Sequence, residues 1–142
     1  MSFLCVENLS VAYGAIQALH GISLEMREGE FVSLLGANGA GKSTTLRTIS
    51  RLLAIQGGRI LFCGEDLSDV APHVVVAKGI AHVPEGRGIF PSLTVQENLQ
   101  LATCINKNKL RLVELQNLVF DLFRKLHERQ KQLAGTLSGG EQ

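Results

Sequence analysis

Gly36-Ala37-Asn38-Gly39-Ala40-Gly41-Lys42-Ser43 fills every fixed position of the pattern G-x-x-x-x-G-K-[ST]. The run at residues 31–35 that leads into it is apolar and uncharged, and residues 44–53 read as a helix. The glycines therefore stand where a buried strand turns into a helix. Glycines let consecutive backbone N–H groups converge on one point, and the helix start at Ser43 and Thr44 adds donors without intrahelical partners and the positive end of a dipole. A triphosphate suits that point. Lys42 would bridge the β- and γ-phosphates as a mobile point charge, and the Ser43 hydroxyl would complete the oxygen shell of a Mg²⁺ ion that keeps several waters. The competing reading is a Gly-rich turn beside an exposed lysine. With every fixed position filled in a strand-turn-helix context, the motif predicts binding of ATP or GTP.

Two further places carry suitable chemistry with less specificity. Tyr13, set before Gly14 where the apolar pattern breaks, suits either an aromatic ring laid against an adenine face or a core or turn tyrosine. Ser138-Gly139-Gly140 offers a hydroxyl and closely spaced backbone donors for a second phosphate contact, but the same triplet is a common linker. Cys5, Cys63 and Cys104 lie far apart, and His20, His73, His82 and His127 have no metal-ligand spacing. The cysteines read as reduced, buried small side chains, and none of the histidines is assigned chemistry.

The elements that must position these groups alternate along the chain. Residues 4–13 and 18–26 read as half-buried strands, with Arg27-Glu28-Gly29-Glu30 as the turn into the strand at 31–35. Gly57-Gly58 precedes a strand at 59–63 ending at Gly64; Pro72 suits the first turn of a short helix closed by Gly79; residues 80–83 read as another buried strand. Residues 84–91 are a loop by composition. Thr94-Val95-Gln96-Glu97 fits the capping box of a helix running to about Ile105, and Leu115, Leu118, Val119, Leu122 and Leu126 recur at helical spacing within residues 110–127. That stripe reads as core or docking surface. The alternation predicts an α/β domain with a largely parallel sheet.

With 142 residues, 45% apolar, and a net charge of +1, the chain has the length of one domain and no basic excess that would point to nucleic acid. No apolar run reaches the roughly 18 to 20 residues of a membrane span, and the first residues lack a signal-peptide core. The composition predicts a soluble protein of the cytosolic side.

The order of motifs is informative beyond each motif alone. The phosphate loop is followed by Pro84-Glu85-Gly86-Arg87, by Phe90-Pro91 with Leu93-Thr94-Val95 and Glu97-Asn98-Leu99, and then by Leu137-Ser138-Gly139-Gly140. Over essentially its whole length the chain resembles the ATP-binding subunits of ABC transporters, and within them the smaller ATPase subunit of branched-chain amino acid importers. The resemblance implies a P-loop fold with an N-terminal antiparallel β subdomain, a parallel-sheet core and a helical signature subdomain. It divides residues 1–142 into a β-rich and Walker A region, 1–83, and a coupling loop with helical subdomain, 84–142.

By the same resemblance Tyr13 is the adenine-stacking aromatic, Gly36 to Ser43 the Walker A loop, and Leu137 to Glu141 the signature motif. Ser138, Gly139 and Gly140 would contact the γ-phosphate held by a second ATPase subunit, so that two ATP molecules join a head-to-tail dimer. Most relatives have a glutamine where Glu85 stands; a carboxylate there keeps the oxygen and adds charge toward Mg²⁺, implying a sensing and coupling role against the plainer reading of a surface glutamate. The 84–105 region would border the groove for a membrane permease, with the ATPase peripheral on the inner face of the membrane.

The family pattern continues past the signature into an apolar strand ending Asp-Glu and then a switch histidine, whereas this sequence stops at Gln142. The expectation is therefore of an incomplete cassette with no assignable general base, for which a nucleotide-binding module without turnover, or an importer ATPase for another small solute such as urea, are the alternatives. Phe31, Val32, Leu34 and Leu35 would then lose cover worth roughly 1.5 to 3 kcal/mol each, predicting a marginal fold that aggregates or binds a hydrophobic dye.

Overall fold

The computed structural model describes residues 3–86, 88–103 and 109–142. Contacts divide the chain into two compact units, residues 1–82 and 83–142.

The first unit is built on strand β1 (Leu4–Tyr13), flanked by β2 (Ile16–Met26) and β3 (Gly57–Phe62), with the short β4 (Glu65–Asp66) outside β3. The four strands form one antiparallel sheet in the order β2-β1-β3-β4. In β1 the buried residues are Leu4 and Val6, then Leu9 and Val11. That change of phase would put the second pair on the wrong face of a regular strand, since side chains alternate with period two. A bulge corrects it: Val6 pairs with Leu24 and Leu9 with Ile22, three residues of β1 against two of β2, with Asn8 in the left-handed region at φ 47. Both pairs thereby join Leu19, Ile60, Leu67, Val75 and Ile49 in one core. Ile49 comes from helix α1 (Lys42–Ile49), which buries Thr44, Thr45 and Thr48 on the same side. Helix α2 (Pro72–Ala77) supplies Val75, has proline at its start, and gives way to Gly79 at φ 107.

Two expected strands are absent. Residues 31–35 and 80–83 join no ladder, and Phe31 is 92% and Leu35 91% exposed, with Val83 at 86%. An apolar run records a preference for burial, but a strand also needs a neighbour to take its N–H and C=O groups. Neither segment pairs with a described strand, and the sheet among the described residues is antiparallel rather than parallel. Cys63, expected to be buried, is exposed instead, at φ 50 in the β3–β4 turn, while Cys5 is half-buried; Cys104 lies outside the described residues.

The second unit holds α3 (Val95–Thr103), α4 (Lys109–Leu122), α5 (Arg124–Glu128) and a single 3-10 turn (Ala134–Thr136). The capping box at α3 forms: Glu97 Oε2 accepts the Thr94 N–H at 2.7 Å and hydroxyl at 2.8 Å, while the Glu97 N–H reaches Thr94 Oγ1 at 3.2 Å. The helix expected to reach Ile105 is described to Thr103. The single helix expected over residues 110–127 is broken at Phe123, whose φ of −121° and ψ of 69° leave the helical region. Leu115, Leu118 and Leu122 are exposed, so this stripe is not core within the unit. Instead the unit buries Val95, Phe120, Ala134 and Leu137.

Candidate functional site

In the first unit the phosphate loop is held from both ends. Gly41 is the N-cap of α1 at φ 90, and a β-carbon there would stand 2.6 Å from Leu19 Cδ2 and 3.4 Å from the Ala18 carbonyl oxygen. Only glycine gives both the dihedral and the approach to β2. At the other end a β-carbon on Gly36 would meet Ala40 Cβ at 3.0 Å, so the loop closes tightly on itself. The Lys42 ammonium folds back over the loop and donates to the carbonyls of Gly36 and Ala37, each at 2.8 Å. Both carbonyls are neutral acceptors that an anion would outcompete.

Ser43 is exposed on the first turn of α1, and Thr44 behind it is buried. Asn38, Gly39 and Ala40 are exposed at the tip, with the Ala40 N–H donating to Ala37 at 3.2 Å. Tyr13, 31 positions upstream of Thr44, reaches it from the end of β1: the two hydroxyl oxygens are 3.5 Å apart. Tyr13 is 44% exposed, so it is not a core tyrosine. The fold thus brings Tyr13 to the start of the helix that carries Lys42, Ser43 and Thr44. These features fit a triphosphate: a tight glycine-bounded loop, a cation folded back on its carbonyls, and a helix N-terminus at its end.

Glu85, in the second unit, is exposed in a bend; its neighbour Arg87 lies outside the described residues. Ser138, Gly139 and Gly140 are exposed as well. Ser138 gives its hydroxyl and its N–H to one oxygen, Glu141 Oε2, at 2.7 and 3.0 Å. Arg129 Nη1 lies 3.2 Å from that oxygen and Lys125 Nζ 3.9 Å from the other. The Ser138 hydroxyl bond first, then its N–H, and then the attraction of Arg129 and Lys125 hold the Glu141 carboxyl below the usual glutamate value.

Sequence reasoning missed Glu141 as a partner of Ser138. The signal was present, since Ser138-x-x-Glu141 repeats the spacing of Thr94-x-x-Glu97. It also missed Asn98 and Gly135. Asn98 clamps the preceding loop, its Oδ1 accepting the Phe90 N–H at 2.8 Å and its Nδ2 donating to the carbonyls of Phe90 at 3.1 Å and Thr94 at 3.0 Å. Gly135 lies against Pro91, where a β-carbon would come within 2.9 Å of Pro91 Cβ and 3.0 Å of its carbonyl oxygen. No local pattern announces either contact.

A family model described as ABC transporter matches residues 19–142. Among curated proteins, the high-affinity branched-chain amino acid transport ATP-binding protein BraG of Pseudomonas aeruginosa is 45% identical over 139 residues, 98% of this chain and 59% of the relative. The probable branched-chain amino acid transport ATP-binding protein LivF of Archaeoglobus fulgidus is 31% identical over 134 residues, 94% of this chain and 56% of the relative. The chain thus spans less than two thirds of the length of either. A solved structure of an ATP-binding subunit of an ABC transporter superposes with a TM-score of 0.86 at 31% identity, covering 98% of this chain and 57% of the other.

Proposed function

Because this chain belongs to the ABC transporter family, we propose that it is the N-terminal portion of the ATP-binding subunit of an importer, coupling ATP binding and hydrolysis to the uptake of branched-chain amino acids. The observation that carries the nucleotide reading is the Gly41-capped start of α1 with Lys42 folded back on the loop carbonyls. The amino acid reading rests on the likeness to the two branched-chain transport proteins.

In this reading residues 1–83 hold the nucleotide and residues 84–142 form the coupling loop and helical subdomain of one nucleotide-binding domain. Tyr13 lies against adenine; the loop from Gly36 to Lys42, with Ser43 and Thr44, holds the phosphates. Mg²⁺ would arrive on the nucleotide, where the Ser43 hydroxyl of the first unit offers it an oxygen; the carboxylate of Glu85, in the second unit, is read as its sensor. When bound, the cation neutralises charge on the phosphates. Ser138, Gly139 and Gly140 donate to the γ-phosphate of a second ATPase subunit in a head-to-tail dimer. The 84–105 region meets the permease. No described helix is long and apolar enough to cross a membrane, and the subunit works as a peripheral protein on the inner face.

Uptake tests the substrate. With its cognate permease in vesicles, the protein should drive ATP-dependent accumulation of leucine, isoleucine and valine. Accumulation of urea or another small solute in their place would reject the amino acid assignment while leaving the nucleotide site standing.

A further inference from the structure

The signature turn holds an acceptor of its own on the donors that a nucleotide phosphate would use. Both donors of Ser138 go to Glu141 Oε2. The Thr94 box of the same unit differs in one respect: there the hydroxyl also accepts the N–H of its glutamate, whereas the Glu141 N–H goes to the Ser138 carbonyl at 3.0 Å. The Ser138 hydroxyl thus binds the carboxylate without also accepting that N–H. The pair borders an open groove of about 750 Å³ whose lining includes Asp121, Arg124, Lys125, Ser138, Gly140 and Glu141, two cations against two carboxylates.

We propose that Glu141 is a built-in competitor for the Ser138 donors, so that a nucleotide phosphate engages the signature only by displacing the Glu141 carboxylate toward Lys125 and Arg129. This rests on the reading of Ser138 as a γ-phosphate contact. A carboxylate and a phosphate oxygen are both anionic acceptors with no hydrogen to give. They cannot share one hydroxyl hydrogen at full strength, and at such separations they repel. The two cations already beside Glu141 give the displaced carboxylate somewhere to go. Glu141 therefore sets how readily the signature accepts nucleotide, a positioning role exerted through Ser138.

The experiment follows nucleotide-driven dimerisation of the intact protein by analytical ultracentrifugation, with Mg²⁺ and a slowly hydrolysed ATP analogue. Nucleotide binding at monomeric protein concentrations is read separately with a fluorescent analogue. Glu141→Ala should lower the analogue concentration for half-dimerisation by about tenfold, as expected for removal of a charge-assisted competitor, and Glu141→Gln should fall between it and the wild type. Binding by the monomer should not change in either variant. Glu141→Gln keeps an oxygen for the helix start, so it decides the matter if Glu141→Ala fails to fold. Unchanged or weaker dimerisation in a folded Glu141 variant would overturn the proposal. Ser138→Ala separates the causes: if it leaves dimerisation intact, the phosphate role of Ser138 fails and the competitor falls with it. If it abolishes dimerisation while the Glu141 variants gain nothing, the competitor alone is wrong.

Discussion

Lys42 illustrates how a single side chain keeps a site ready. Its ammonium spans the carbonyls of Gly36 and Ala37, contacts a phosphate would replace with stronger, charge-assisted ones. Removing those contacts costs about 1.5 to 3 kcal/mol. Lys42→Ala should therefore weaken nucleotide binding roughly 10- to 150-fold, measured by titration with a fluorescent analogue; an unaltered affinity would mean that Lys42 does not face phosphate. Tyr13 is tested differently, because its part is played against the base. Tyr13→Ala should weaken adenine nucleotides and leave inorganic triphosphate binding alone, and equal losses for both ligands would remove the stacking role.

At the scale of elements, α3 and the chain before the signature are joined by backbone. Residues 91–96 and 130–135 run antiparallel, with the Gly135 N–H on Pro91 at 3.0 Å, the Ala134 N–H on Leu93 at 2.9 Å, and the Val95 and Gln96 N–H groups on Gln132 and Gln130, each at 3.0 Å. The donors at the start of α3 are thereby satisfied. Gly135→Ala pushes a β-carbon into Pro91 backbone that cannot swing away, and should cost about 1 to 3 kcal/mol in chemical denaturation; a cost under about 0.5 kcal/mol would show that the seam yields easily. The helix-start carboxylates add a pH dependence. The Thr94 N–H and hydroxyl hold Glu97 below the ordinary value of 4.5, as Ser138 and its neighbours hold Glu141. A depressed carboxylate contributes stability that is complete above the unfolded value and is lost as pH falls through the folded one. Thermal stability should therefore decline from about pH 4.5 downward, and Glu97→Gln should flatten part of that decline in circular dichroism melts.

On the scale of the whole molecule, the sheet unit leaves Phe31, Val32 and Leu35 exposed on the approach to the phosphate loop. Apolar surface of this kind, contiguous in sequence, is what a hydrophobic dye binds. A polypeptide of these 142 residues should bind such a dye strongly, and paired Phe31→Ser and Leu35→Ser substitutions should reduce the signal. A soluble monomer with a cooperative thermal transition and no dye binding would contradict this surface. The belonging of residues 19–142 to the ABC transporter family was legible from the order of motifs. The ladder of every strand was not, because ladders depend on which segments come to lie side by side.

Local chemistry carried the rest that could be read directly. The phosphate loop, the capping box at Thr94 and the proline-led α2 each follow from residues within a few positions of one another, where dihedral preference and short hydrogen bonds dominate. Tertiary structure alone decided that Tyr13 meets Thr44, that Gly135 packs on Pro91, that a bulge at Asn8 returns Leu9 and Val11 to the core, and that residues 31–35 pair with nothing described. Those outcomes turn on contacts between distant segments, and an apolar run cannot state which neighbour will cover it.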